Sequence, residues 1–118
     1  MKKIDTHRHL LYPDQFDYSW TNDLPALQGS FHLEDYQAAA KDCDIEGTLF
    51  MEVDVDAGQN IKEAEFFSQL GGDAQNNPLG VIAKAFPESE NFEMQLEQLS
   101  GPYLKGIRRV LHTQDDAL

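Results

Sequence analysis

With 118 residues, 41% of them hydrophobic, the chain falls in the size range of one domain and holds enough apolar material for a core, which excludes a disordered tail. Its 21 acidic residues against 9 basic ones give a formal charge of −12, which argues against a nucleic-acid backbone or an anionic membrane as partner and points to a small molecule. The single cysteine, Cys43, excludes an internal disulfide and fits a reduced, cytoplasmic setting; with no apolar run of the ~20 residues a membrane helix needs and a polar stretch after the charged start, neither a membrane span nor a signal peptide is expected.

Lys3 to His7 is the first strand candidate. Alternate side chains of a strand share a face, so Asp5, His7 and His9 of "KKIDTHRHL" are expected to project one way at its end, with Arg8 facing out toward a helix or solvent. Pro13 ends the element, and a polar, aromatic loop with Trp20, Pro25 and Gly29 follows. Leu33, Tyr36, Ala40 and Cys43 recur at helical spacing, which predicts a helix over "HLEDYQAAAKDC" with one buried face and Cys43 as an inert buried thiol on it. "DIEGTLFMEV" is expected to turn at Gly47 and continue as a strand covered on both faces. Ile61, Ala64, Phe67 and Leu70 mark a second helix that stops at Gly71-Gly72, where a left-handed cap is free of strain. "PLGVIAKAF" reads as the third strand. "NFEMQLEQLSG" puts Phe92, Leu96 and Leu99 on one helical face and ends at Gly101-Pro102, after which "LKGIRRVLH" is the fourth strand.

The order is β-α-β-α-β-α-β, and the later strands start near Thr48, Leu79 and Leu104, roughly one βαβ unit of about 30 residues apart. Such alternation predicts a parallel sheet with helices outside, either open or half of a closed barrel. Half a barrel would leave two unpaired strand edges, and the stop at "HTQDDAL" suggests a chain cut short. The first connection, about twenty residues of loop, is longer than a structural turn requires, and long loops at the carboxyl ends of parallel strands are usually functional.

Two histidines on one strand face, with Asp5 behind, supply half of a zinc-type site; the plain alternative is a pair of polar residues at a strand end. On the fourth strand Arg108, Val110 and His112 share a face, opposite Arg109 and Leu111, so a barrel would point Arg108 and His112 inward. A guanidinium there forks onto a substrate carboxylate or carbonyl, or simply pairs with one of the many acids. Glu52 ends the second strand, with Asp54 and Asp56 in the next loop, where a carboxylate can hydrogen-bond a metal-bound histidine or a substrate hydroxyl, or stay solvated. Trp20, with Tyr12, Phe16 and Tyr18 nearby, either walls a pocket or belongs to an aromatic cluster that pins the loop. His32 beside a helix start needs no function. No glycine-rich phosphate loop, serine nucleophile elbow or Cys-x-x-Cys pair is present in the sequence.

Taken together, "IDTHRHL", Trp20, "LPALQGSF", "DIEGTLFMEVDV", "PLGVIAKAFPES" and "LKGIRRVLHTQ" resemble the amidohydrolase-related family, in particular its metal-dependent hydrolases grouped with fuconolactonase and other sugar or dicarboxylate lactonases. The similarity runs in order through nearly the whole chain. It implies an α/β fold, the N-terminal half (about four β/α units) of a TIM (β/α)₈ barrel with its site at the carboxyl ends of the strands. By this resemblance His7 and His9 are first-strand ligands of a divalent metal such as zinc, or are retained without metal as in some lactonases, and Arg108 holds a substrate oxygen. Glu52, Trp20 and His112 complete the expected substrate-binding set. The implied reaction is attack of an activated water on a lactone or similar cyclic ester or amide. A full barrel needs ~250 residues, so residues 1–118 are expected to form a partial domain, inactive alone, with the catalytic base on the missing strands. Two other readings stand beside this one. A TatD-like nuclease shares the opening but is opposed by the charge of −12. The other is a non-catalytic half-barrel that closes its edges on a partner or a second copy.

Overall fold

Four parallel strands hydrogen-bond in the order β1-β2-β3-β4, alternating with three helices, in a computed structural model that describes residues 1–71 and 78–112. The elements are β1 (Lys3–Arg8), α1 (Leu33–Ala40), β2 (Ile45–Met51), α2 (Asn60–Gly71), β3 (Pro78–Lys84), α3 (Phe92–Leu99) and β4 (Leu104–Arg108), with short 3₁₀ turns at Ser19–Thr21 and Pro25–Leu27 in the first loop. The expected element order and parallel α/β architecture are therefore present. Gly72 and the residues after His112 lie outside the described residues.

The core lies between the sheet and its helices. Phe50 of β2 stacks on Phe67 of α2 at 3.6 Å between ring centroids, Tyr12 and Phe66 meet Phe67 edge-on, and Phe16 lies edge-on to Phe66. Such contacts combine large apolar burial with the ring geometry that aromatic pairs prefer. By strand alternation from the buried Phe50 and Val81, the opposite face of the sheet carries Leu49, Met51 and Ile82, which are only half-buried. The strand expected to be covered on both faces is thus covered on one, because the described residues supply helices to one side only. Ile4 and Leu79, on either side of Gly47, are 55% and 43% exposed. No helix among the described residues is long and apolar enough to cross a membrane.

Three local expectations are corrected. Gly47 is not a turn: β2 begins at Ile45 and runs through it, and the Leu79 side chain lies over it, where an added Cβ would sit 2.9 Å from Leu79 Cδ1 and make that side chain shift. The turn falls earlier, at Asp44 with φ 56°, a left-handed position that a short polar side chain tolerates. Because α1 ends at Ala40 and the chain turns back to enter β2 at Ile45, Cys43 lies in the turn and is exposed, not buried; its carbonyl accepts from Lys3 Nζ at 3.1 Å. β4 stops at Arg108, where β3 supplies its last partner, Lys84, so Val110 and His112 follow the strand instead of belonging to it.

The first loop is held to this frame at both ends. Leu11 and Phe31 form an antiparallel bridge with bonds of 2.9 and 3.0 Å, so residues 12–30 make an excursion that closes on itself. Removing the stacked ring with Phe67→Ala is expected to lower the free energy of unfolding by about 3–5 kcal/mol in urea titration; a loss below about 1 kcal/mol would mean that this stack does not centre the core.

Candidate active site

A cavity of about 510 Å³ opens at the carboxyl ends of the strands, lined by His9, Leu11, Trp20, Leu27, Phe31, Val53, Asp54, Arg108, Val110 and His112. That is the end of a parallel α/β sheet where ligands bind. Each side chain arrives there for a local reason. His9 follows β1, Val53 and Asp54 follow β2, and Arg108 ends β4, while the first loop supplies one apolar wall. Period-two alternation persists past the end of β4: Arg108, Val110 and His112 all face the cavity, and Arg109 turns away to Glu88 (2.8 Å) and the ring of Phe86.

His7 and His9 converge, their Nε2 atoms 3.0 Å apart. His9 Nδ1 lies 3.0 Å from the carbonyl oxygen of Met51, which can only accept, so Nδ1 carries the proton and Nε2 presents a lone pair. Burial holds the His9 pKa below its usual value, and the positive charge of Arg108 adds to the effect. A neutral imidazole oriented through its other nitrogen is the form that ligates a divalent cation. The chemistry fits, but the pair offers two donors. Among the described residues no group of three His, Cys, Asp or Glu side chains is placed to hold a metal.

Asp5 does not join the pair. The register slips between Asp5 and Arg8, and this bulge breaks the expected alternation, so Asp5 faces α1, where Tyr36 donates its hydroxyl to Asp5 Oδ2 at 2.9 Å. The His7 backbone N–H takes the other oxygen at 3.1 Å. Arg8 does face the helix side, buried beneath α1 with its guanidinium 5.0 Å from the centre of the Tyr36 ring.

Glu52 is fully buried and is not one of the cavity-lining residues. Arg108 Nε donates to its Oε1 at 2.5 Å, Arg108 Nη2 to its backbone carbonyl at 2.7 Å, and the Asp54 N–H to Oε2 at 2.7 Å. Arg108 therefore meets an acid, as one of its two readings held, and still reaches the cavity; its Nη1 has no partner among the described residues. Trp20 matches the pocket-wall reading and is not a member of the aromatic cluster. Its indole N–H donates to Val53 O at 2.9 Å while the ring lines the cavity, and Tyr12, Phe16 and Tyr18 are the buried residues that pin the loop. Asp56 is a loop fastener as well, accepting from the Ser19 N–H at 2.8 Å and from the Ser19 hydroxyl, contacts that lower its pKa. His32 precedes α1, stacks on Tyr12 at 4.1 Å and donates its N–H to Asp35 at 2.7 Å.

Sequence reasoning missed Lys84 and Glu63. Lys84, at the end of β3, is buried and donates to Asp54 Oδ1 and Val55 O, each at 2.8 Å. Its signal was a lone charge inside the apolar run "GVIAKAF". Glu63 belongs to the stripe of α2 that is buried, Asn60, Glu63, Ala64 and Phe67, at i, i+3, i+4 and i+7. Two polar residues on such a stripe mark a network: Asn60 reaches Lys84 O at 3.0 Å, and Glu63 accepts the Val53 N–H at 3.2 Å.

No protein-family model matches the chain, and no curated protein is significantly similar to it. Among solved structures it superposes on amidohydrolase 2 from Bifidobacterium longum subsp. infantis with TM-score 0.68 and 24% identity, over 94% of this chain and 40% of that one. It superposes on a zinc-bound amidohydrolase from Burkholderia multivorans with TM-score 0.74 and 18% identity, over 99% of this chain and 40% of the other. The chain shares its fold with these amidohydrolases. It spans about two fifths of their length, 40% in both cases, which agrees with the expected half-barrel.

Burial pushes the Glu63 carboxyl from 4.5 up to about 8, against the opposing bond from the Val53 N–H. The unfolded chain releases this proton near pH 4.5 while the fold keeps it to about pH 8, so stability falls as pH rises through that window and levels off above it. Glu63→Gln, which cannot ionise, is expected to flatten the decline in urea midpoints across that window; a slope equal to that of the parent chain would contradict a neutral buried carboxyl.

Proposed function

We propose that the chain is the first half of an amidohydrolase-type hydrolase that opens a lactone or a similar cyclic ester or amide. The observation that carries this reading is the convergence of the His7 and His9 Nε2 atoms, 3.0 Å apart, beside a strand-end cavity that also holds Arg108. The shared fold supports the same reading, and the Burkholderia multivorans neighbour is described with bound zinc.

In the reaction, water adds to the carbonyl carbon, the bond from that carbon to the ring oxygen or nitrogen breaks, and the leaving atom takes a proton, giving a hydroxy or amino acid. Arg108 Nη1 donates to the carbonyl oxygen as it gains negative charge. Glu52, behind it, acts as a positioning residue that fixes the guanidinium plane. Trp20 and the first loop exclude water from the opposite side, and His112 faces the substrate from beyond β4. His7 and His9 are the residues that would hold a divalent cation such as zinc, whose chemistry when bound is Lewis-acid polarisation of the carbonyl or water. The base is assigned to strands beyond β4, which would also cover the open edges of β1 and β4. We place the protein in the cytoplasm, in keeping with the exposed thiol of Cys43.

Acid release at constant pH from a panel of lactones, catalysed by the protein that carries this chain, tests the proposal. Ring opening is expected, and His7→Ala should lower kcat/KM by roughly 10²-fold without moving the unfolding midpoint. A folded protein that hydrolyses none of the lactones, or an alanine variant at His7 with full activity, would overturn it.

A further inference from the structure

The cavity's walls are unequal, and the inequality bears on the body of the substrate. We propose that the site takes a compact, apolar, aromatic-sized molecule bearing one uncharged lactone-type or lactam-type carbonyl, and not a polyhydroxylated sugar lactone. The inference rests on the hydrolase reading only for the reacting end; the body of the ligand is argued from the cavity itself.

Trp20, Leu27 and Phe31 converge on one wall at 37%, 36% and 39% exposure, although each is a large apolar side chain that the core would otherwise take up. Apolar surface left open in one concave place marks a binding site. The wall cannot close on itself. Trp20 is tied by its indole N–H to Val53 O at 2.9 Å, and its loop is fastened by the Asp56–Ser19 contacts and by Gln59, which bonds Asp17 twice at 2.8 Å. A preorganised apolar wall binds without the ordering penalty of a mobile one.

The polar groups sit elsewhere and are mostly committed. Arg108 is neutralised by Glu52, and Asp54 by Lys84 at 2.8 Å, so the charges cancel in pairs around the cavity. A free anion finds little net positive charge there, whereas a carbonyl oxygen can accept from Arg108 Nη1. The hydroxyls of a sugar would instead lie against Trp20, Leu27 and Phe31 and lose their water partners without replacement.

In the protein that carries this chain, the Trp20 indole N–H signal, assigned by its loss in Trp20→Phe, reports the cavity by NMR. Titration with dihydroquinolinone, an aromatic lactam that resists hydrolysis, is expected to shift this signal at concentrations roughly 10²-fold lower than gluconolactam, a polyhydroxylated lactam of the same ring size. Phe31→Ser should weaken the aromatic ligand about tenfold, and Leu27→Ser serves the same purpose if the first variant fails to fold. Equal or tighter binding of gluconolactam overturns the proposal, as does an indole signal that neither lactam moves. Both of those results leave lactone hydrolysis, measured separately, untouched; conversely, dihydroquinolinone binding by a protein that opens no lactone supports the cavity assignment while removing the hydrolase reading.

Discussion

A carboxylate with no exposure to water, Glu52, is held by a guanidinium that comes from 56 residues away, and the rest of the site is arranged around that contact. Burying the Glu52 charge alone is costly, and it is tolerated because the half-buried Arg108 pairs with it and both carboxylate oxygens find partners. Arg108 takes Oε1, the Asp54 N–H takes Oε2, and Arg108 also binds the backbone carbonyl of Glu52. The segment after β2 is consequently fixed at each step. Val53 gives its N–H to Glu63 and accepts from Trp20, and Val55 accepts from Lys84. With every neighbour specified, Asp54 is held at φ 49°, a conformation its short side chain allows at modest strain.

This arrangement joins five parts of the chain at one end of the sheet: the first loop, the ends of β2, β3 and β4, and α2. Buried ion pairs contribute little net stability compared with apolar packing, so the Phe50–Phe67 core remains the main source of cohesion. What the pair supplies is direction. It leaves the Nη1 edge of the Arg108 guanidinium uncommitted beside the cavity while Nε and Nη2 are held by Glu52.

The strands and helices were legible because their signals are local. Apolar runs such as "TLFM" and "GVIA" and the helical spacing of Phe92, Leu96 and Leu99 lie within single elements. The pairing of His7 with His9 and the inward set of Arg108, Val110 and His112 followed from the same period of two. What escaped was set by neighbours distant in sequence. The bulge that turns Asp5 toward Tyr36 depends on register with β2, and the close cover over Gly47 comes from Leu79 on β3. Glu63 and Lys84 drew no role from the sequence because their partners, Val53 and Asp54, lie in a loop whose shape no local pattern specifies.

If the Glu52–Arg108 contact organises this end of the molecule, its two members must be strongly coupled. A double-mutant cycle on unfolding free energy, with Glu52→Gln, Arg108→Met and the combined variant, measures that coupling directly. Arg108→Met, which leaves the Glu52 charge buried, is expected to cost about 3–5 kcal/mol, Glu52→Gln less because the guanidinium is partly solvated, and the double change markedly less than their sum, a coupling of at least about 1 kcal/mol. Losses that simply add would contradict the account.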